Sequence, residues 1–398
     1  MKDDQQIKIP TGRRLTALGI GNFLLCLFLI QLPVFVNLFI FDFDANGASA
    51  FWLLGKLALT EVILFYTGII LIYINSVQVK LKLKITGLAL GWLPIVNLVL
   101  LFMIMKRSIE EYIFEMKKLK LDRKRAKDRI CQTKYPILMV HGIFFRDFRL
   151  LNYWGRIPGE LIRNGATIYY GNHESAETVE KSAAKLHDRI LEIVNETGCE
   201  KVNIIAHSKG GLDIKYAVAH TDIARHIASV TTINTPHKGC EFAEYLLEKI
   251  DEPIQQKIAS AYNATLKRLG DKSPDFLMAV RDLTATRCKQ ISRMCATYDY
   301  SKNGVFTQSV GSCMKKAKSG AFPLNMSYKL VDKFDGPNDG LVGEPSFYWG
   351  ERYTFLENKK KRGISHGDVI DLNRENIPGF DVREFYVQLV SDLKARGL

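Results

Sequence analysis

Ile204-Ile205-Ala206-His207-Ser208-Lys209-Gly210-Gly211, an apolar run that ends in a small-x-Ser-x-Gly turn, decides how the chain is read. The helical stretch Leu212 to Ala219 follows at once, so the backbone passes from strand to helix through a turn too tight for large flanking side chains. Such a turn is a nucleophile elbow, which lifts a serine hydroxyl clear of the end of a sheet. Ala206 takes the first small position, where glycine is usual, and one methyl group is the smallest side chain available. The plainer alternative is a glycine-rich loop that ends a strand and carries no chemistry.

A serine hydroxyl is a poor nucleophile until a base takes its proton, and histidine is the usual base. In enzymes built on this elbow the acid and then the histidine follow the serine in chain order. Of eight histidines, His237 and His366 lie well beyond the elbow helix. His237 follows the next strand too closely to leave room for the acid, so His366 is the expected base. Within Phe334-Asp335-Gly336-Pro337-Asn338-Asp339-Gly340, Asp339 is the expected acid, because an exposed turn can hold a carboxylate against the imidazole; Asp335 is the alternative. The oxyanion of acyl transfer needs preorganised donors. The amide of Lys209 supplies one, and that of Ile143, at the end of Val140-His141-Gly142-Ile143-Phe144-Phe145, supplies the other. Gly142 allows close backbone approach there, and His141 reads as a loop-shaping residue.

Outward from the elbow the pattern is that of an α/β domain, short apolar runs alternating with helical stretches. Strands are expected near Tyr135 to Val140, Thr167 to Tyr170, Val202 to Ala206, Val230 to Ile233 and Val305 to Val310. Val179, Ala183, Leu186, Ile190 and Ile193 make a helical core stripe. Residues 240–304 leave this alternation for helical stretches with apolar faces, expected to form a lid or an ordinary helical insertion.

The N-terminal third differs. Leu15 to Phe41, Phe51 to Ile74 and Thr86 to Met105 are each long enough to cross a bilayer. The first is too long for the apolar core of a signal peptide. Glu61, inside the second, should face protein or a polar partner. From Lys106 to Arg129 basic residues dominate, with Ile109, Tyr112, Ile113, Met116 and Leu119 at helical spacing, as in a helix lying on anionic lipid or a solvated linker. The expected organisation is therefore a membrane region, 1–105, with two or three spans; a basic linker helix, 106–134; and a catalytic domain, 135–398. Formal net charge is +13, which alone admits nucleic acid, acidic partners or anionic lipid; the adjoining apolar runs favour lipid, and no nucleic-acid partner is expected. Seven cysteines without CxxC or zinc spacing point to free thiols.

Basic residues favour the cytoplasmic side. Lys2, Lys8, Arg13 and Arg14 precede the first run, Lys80, Lys82 and Lys84 follow the second, and the first connection carries Asp42 and Asp44. A third full span would carry the basic linker outside, against that rule. Gly91, Pro94 and Asn97 allow the third run to bend back instead as a re-entrant hairpin, which places the catalytic domain in the cytoplasm.

From about Tyr135 to about Asp371 the chain resembles the bacterial triacylglycerol lipases of the α/β-hydrolase fold. The resemblance rests on several blocks: Tyr135-Pro136-Ile137-Leu138-Met139-Val140-His141-Gly142, Tyr153-Trp154-Gly155-Arg156-Ile157-Pro158, Lys201 to Gly211, Thr232-Ile233-Asn234-Thr235-Pro236-His237-Lys238-Gly239, Asn338-Asp339-Gly340-Leu341-Val342 and His366-Gly367-Asp368. It implies a mostly parallel sheet with a helical lid and a catalytic Ser208, Asp339 and His366. It also implies a lipase or esterase that forms an acyl-enzyme on Ser208, with lipid or another acyl ester as partner and no required cofactor. Secreted members carry a structural calcium and often a disulfide; here only Asp368 stands where a calcium carboxylate is expected, which puts calcium in doubt. Lys209 stands where the family usually has an uncharged side chain. Acyl transfer by the same triad, or a membrane scaffold that has kept the fold without catalysis, are the alternatives.

Overall fold

The computed structural model describes residues 11–41, 48–143, 152–268 and 270–398. They divide into two compact units, one within residues 11–124 and one within residues 125–398. Asp42, Asp44, Phe144 and Phe145 lie outside the described residues.

In the first unit, α1 (Thr11–Phe41) and α2 (Ala48–Asn75) pack as a helical pair. Small residues let them approach: a Cβ on Gly21 would lie 3.0 Å from the Gly68 carbonyl oxygen. Two segments, Gly12–Val34 and Leu54–Asn75, are long and apolar enough to cross a membrane. The third apolar run is not one helix. It divides between α3 (Leu81–Leu90) and α4 (Pro94–Arg125), with a turn at Gly91 to Leu93 before Pro94, which cannot continue the preceding helix and instead opens the next. Leu18, Leu25, Ile72, Val79, Leu101 and Ile104 form the buried core. The basic segment is no separate linker helix, because α4 runs through it unbroken to Arg125. Its buried positions are polar, Ser108, Glu111, Glu115, Lys118, Asp122 and Arg125, while of the apolar residues at helical spacing Tyr112 and Met116 are half-buried and Ile113 is exposed.

The second unit is built on six parallel strands in the order β2-β1-β3-β4-β5-β6: β1 (Ile137–Val140), β2 (Ile168–Tyr170), β3 (Val202–His207), β4 (Ile227–Ile233), β5 (Phe306–Ser312) and β6 (Arg352–Leu356). Helices cover both faces, so the central strands are buried on both sides and read as continuous apolar runs. Alternate residues serve alternate faces. Ile137, Met139 and Ile205 pack with Ile157 and Leu161 of α5 (Ile157–Arg163) and with Tyr386, Val387 and Val390 of the C-terminal helix (Val382–Ala395). Leu138, Val140, Ile204 and Ala206 pack with Leu186, Ile190 and Ile193 of α6 (Val179–Thr197) and with Ile214 and Val218 of α7 (Lys209–His220). The helical stripe expected on α6 is buried throughout.

Four helices fill the insertion between β4 and β5: α8 (Glu241–Lys249), α9 (Glu252–Arg268), α10 (Phe276–Arg281) and α11 (Ala285–Cys295). α12 (Leu324–Asp335) follows β5, and α13 (Val382–Ala395) closes the chain. All seven cysteines are free thiols.

Candidate active site

Strand order brings the ends of β1 and β3 side by side, where the winding of the sheet reverses and α/β proteins place their ligand crevices. Ser208 follows β3 directly, with φ 56° and ψ −131°. A non-glycine residue holds such a conformation only where its surroundings enforce it. Here the Ser208 N–H donates to the Ile233 carbonyl at 2.9 Å, and the Gly211 N–H donates to the Ser208 carbonyl at 3.1 Å. The β1 loop lies against the elbow: a Cβ on Gly142 would meet the Ser208 Cβ at 2.8 Å and Tyr153 Oη at 3.0 Å, and one on Gly210 would strike the His141 carbonyl. The glycines are required by this contact between the two loops that carry Ile143 and Lys209. Ile143 itself is buried.

His366 lies in the loop after β6, and Asp339 in the loop after α12. The structure brings them together: His366 Nδ1 is 2.6 Å from Asp339 Oδ2, and the His366 N–H donates to the Asp339 carbonyl at 2.9 Å. Asp339 is fully buried, and its other donors hold it in place. Oδ1 accepts from the N–H groups of Leu341 and Val342 at 2.9 and 2.8 Å, and Oδ2 also accepts from Asn234 Nδ2 at 2.6 Å. Asp335 is placed otherwise. Its two oxygens accept from the N–H groups of Glu241 and Phe242 at 2.9 and 3.1 Å, capping α8, and burial raises its pKa. His237 is buried, stacked on Trp349 with its Nε2 3.0 Å from Thr232 Oγ1, and burial pushes its pKa well down.

Three contributors escaped the sequence reading. Asn234, with φ 46°, joins Asp339 to Ser312 Oγ at the end of β4. Tyr153 accepts from the Gly142 N–H at 3.1 Å and lies 2.7 Å from His207 Nδ1. His207 in turn faces His366, with ring centroids 4.5 Å apart, and burial, aided by His366, keeps its pKa well below the usual value. Only their presence in the quoted blocks could have pointed to them, since no spacing rule links these residues to the serine.

Beneath the elbow, Lys209 Nζ pairs with Asp213 Oδ1 at 2.6 Å and donates to Ser182 Oγ of α6 at 3.3 Å. Both charges are sealed from solvent, and burial raises the Asp213 carboxyl to about 7 despite the lysine. Asp213 Oδ2 is 3.9 Å from His173 Nε2, and His173 stacks on His141 at 4.0 Å. The uncommon lysine therefore ties the elbow to the β1 loop from behind. His141, with Nδ1 2.9 Å from its neighbour's carbonyl, shapes that loop.

A calcium ion does not fit at Asp368. Its Oδ1 accepts from Arg362 Nη2 at 2.9 Å and its Oδ2 from the Ser365 N–H at 2.9 Å, so a guanidinium already fills the place of a cation. Arg362 also pairs with Glu375 at 3.0 Å. On the far side of the same loop, Arg156 holds Asp371 with two bonds of 2.8 Å. Among the described residues no group of three or more His, Cys, Asp or Glu could hold a metal ion.

The insertion reaches this site. Leu266 of α9 and Ala279 of α10 are buried in one cluster with Ile143. Tyr245, Ile254, Ile258 and Tyr262 of α8 and α9 stay exposed, as do Phe322, Met326 and Leu330 on and before α12.

Residues 138–299 match the family model described as "Putative serine esterase (DUF676)". A triacylglycerol lipase of Vibrio cholerae serotype O1 is 30% identical over 242 residues, covering 55% of this chain and 76% of that protein. One from Burkholderia plantarii is 28% identical over 204 residues, 48% of this chain and 54% of the relative, so the chain spans about half of that enzyme's length. Among solved structures, the metagenomic carboxyl esterase MGS0156 superposes with a TM-score of 0.50 at 15% identity, covering 66% of this chain and 76% of that one, which shows the shared fold.

Proposed function

We propose that this chain, which belongs to the bacterial triacylglycerol lipase family and has its α/β-hydrolase fold, hydrolyses acyl esters of lipids while anchored in a membrane by α1 and α2. The observation that carries the reading is the buried Asp339–His366 pair at 2.6 Å, with the His366 ring 4.5 Å from that of His207, the residue before the strained Ser208.

In the proposed reaction His366 Nε2 takes the Ser208 hydroxyl proton as Oγ attacks the ester carbonyl. Asp339 keeps the Nδ1–H of His366 oriented toward itself and stabilises the imidazolium. The amides of Ile143 and Lys209 receive the oxyanion. Collapse of the tetrahedral intermediate expels the alcohol, which leaves with the proton from His366, and an acyl group remains on Ser208. Water, deprotonated by His366, then attacks that acyl ester; as the bond to Oγ breaks, His366 returns the proton to Ser208 and the carboxylic acid leaves. No step needs a cofactor; Arg362 supplies the positive charge that holds the His366 loop.

The insertion serves as a lid. Its buried side covers Ile143, while its exposed apolar side chains suit an element that opens against lipid. Basic residues before α1 and after α2 favour the cytoplasmic side for the catalytic unit.

The test follows fatty-acid release from emulsified triacylglycerols and short-chain esters by the full-length protein, with acid-quenched samples digested for mass spectrometry. Hydrolysis with an acylated Ser208 peptide is expected. An ester product that replaces free acid when a second alcohol is added would assign acyl transfer instead, and no turnover of any ester by folded protein would leave a scaffold.

A further inference from the structure

From Ile85 to Met105 the chain carries no charged residue, yet it does not form a helix long enough to cross a bilayer. The ten residues of α3 span about 15 Å, half of a hydrocarbon core of roughly 30 Å. The chain then turns and α4 runs back beside α3, with Ile104 Cδ1 3.4 Å from where a Gly87 Cβ would be. Outward-facing Leu81, Ile85, Leu88, Trp92, Ile95 and Phe102 are all exposed.

The turn provides its own hydrogen bonds. The Leu93 N–H donates to the Leu90 carbonyl at 3.1 Å, the Asn97 N–H to the Leu93 carbonyl at 2.7 Å, and the Trp92 indole N–H to the Ala89 carbonyl at 3.0 Å. A tryptophan that caps a helix end at the tip of an apolar hairpin supplies bonds that hydrocarbon cannot.

The opposite end is polar. Glu111 of α4, fully buried, accepts from Arg14 of α1, from Ser76 Oγ at 2.5 Å and from the N–H groups of Val77 and Gln78 at 3.1 Å each. Lys84 of α3 donates to the carbonyls of Tyr73 and Ser76 at 2.5 and 3.1 Å. This knot holds the start of α1, the end of α2, the start of α3 and the middle of α4 at one level. Exposed Lys80, Lys82, Lys106 and Arg107 surround it, as suits anionic phosphate headgroups.

We propose that α3 and the first turns of α4 form a re-entrant hairpin seated in one leaflet, its apolar faces covered by the acyl chains of that leaflet. The chain therefore leaves the bilayer at Lys106 on the side where Arg14 enters it. The proposal rests on α1 and α2 being spans.

Single cysteines introduced into the full-length chain, with its seven native cysteines replaced and its unfolding temperature retained, test this in sealed right-side-out and inverted vesicles. With a membrane-impermeant maleimide, Lys82→Cys and Lys120→Cys should be modified from one face and Asn46→Cys from the other, while Trp92→Cys reacts from neither until detergent is added. Lys120→Cys reacting on the Asn46→Cys face, or Trp92→Cys reacting from either face, overturns the hairpin with the spans intact. An oxidant that cross-links Trp92→Cys to a second copy overturns the lipid as its cover. Release of the chain by alkaline carbonate, with Asn46→Cys and Lys82→Cys on the same face, removes the spans themselves and the hairpin with them.

Discussion

Asp339 with His366 and Asp213 with Lys209 are both buried carboxylate–base pairs closed at 2.6 Å; the first sets its imidazole 4.5 Å from the ring of His207, which precedes Ser208, and the second begins at Lys209, which follows it. Their settings separate them. The first joins two loops, and its carboxylate is held by two backbone amides and Asn234, so the imidazole is presented in one orientation. The second lies within one turn of α7 and reaches Ser182 of α6 through Lys209 and His173, before α6, through Asp213. A short ion pair therefore does not identify catalytic machinery by itself. What distinguishes the first pair is a ring that lies against His207, beside the elbow, and a carboxylate whose remaining lone pairs are already used.

Deleting members of the first pair should have the largest effect. His366→Ala and Ser208→Ala should each lower kcat by about a million-fold, with the double variant no slower than either. Asp339→Asn should cost about ten-thousand-fold by disturbing the tautomer of His366, whereas Asp335→Asn should leave kcat within about tenfold, because removing a cap alters α8 by only about 1 kcal/mol. Ester-hydrolysis kinetics check all four; a larger loss in Asp335→Asn than in Asp339→Asn would exchange the two assignments.

The second pair should act on stability first. Lys209→Met or Asp213→Asn strands a buried charge or its partner and should destabilise the unit by about 3 kcal/mol. Lys209→Met combined with Asp213→Leu removes both and should recover most of that, as read by denaturant unfolding. In the double variant kcat should still fall about tenfold with KM unchanged, since the β1 loop loses its tie from behind; full activity would show that the pair does no positioning.

The Arg362–Asp368 contact sharpens the comparison further. Arg362→Gln should lower stability by about 2 kcal/mol and kcat by less than tenfold, and EDTA should change neither the variant nor the parent. Inhibition by EDTA that calcium reverses would contradict the assignment of that charge to arginine.

The smallest effect concerns His237, whose folded pKa is depressed by burial. The unfolded chain then binds a proton that the folded chain refuses, so stability should fall as pH drops below about 6.5, by about 1.4 kcal/mol between pH 7.5 and 5.5 for this residue. His237→Gln should reduce the pH slope of unfolding free energy by that amount. An unchanged slope would mean that His237 ionises freely in the folded protein.

The catalytic sheet was largely legible because its central strands are buried on both faces, which demands apolar runs such as Val202 to Ala206. Arg352–Leu356 at the sheet edge is only partly buried and carries no such run, and it was missed. Ser208, Asp339 and His366 were chosen from local turn chemistry and chain order, and the fold brings the last two within bonding distance. Asn234 and Tyr153 could not be found that way, because their parts depend on which strand ends become neighbours. In the N-terminal unit, hydropathy alone recorded the apolar stretch from Thr86 to Met105, and it took Gly91, Pro94 and Asn97 within that stretch to point to its reversal. What the sequence did not disclose is the bonding that closes that turn, from Trp92 to Ala89 and through the Glu111 knot, which joins residues far apart in the chain.

The most direct test of the central claim is reaction of the folded, full-length protein with a fluorophosphonate probe, followed by peptide mapping. Stoichiometric modification of Ser208 is expected, strongly slowed in His366→Ala and Asp339→Asn and absent in Ser208→Ala. A protein that turns over esters while its Ser208 peptide remains unmodified would contradict the account.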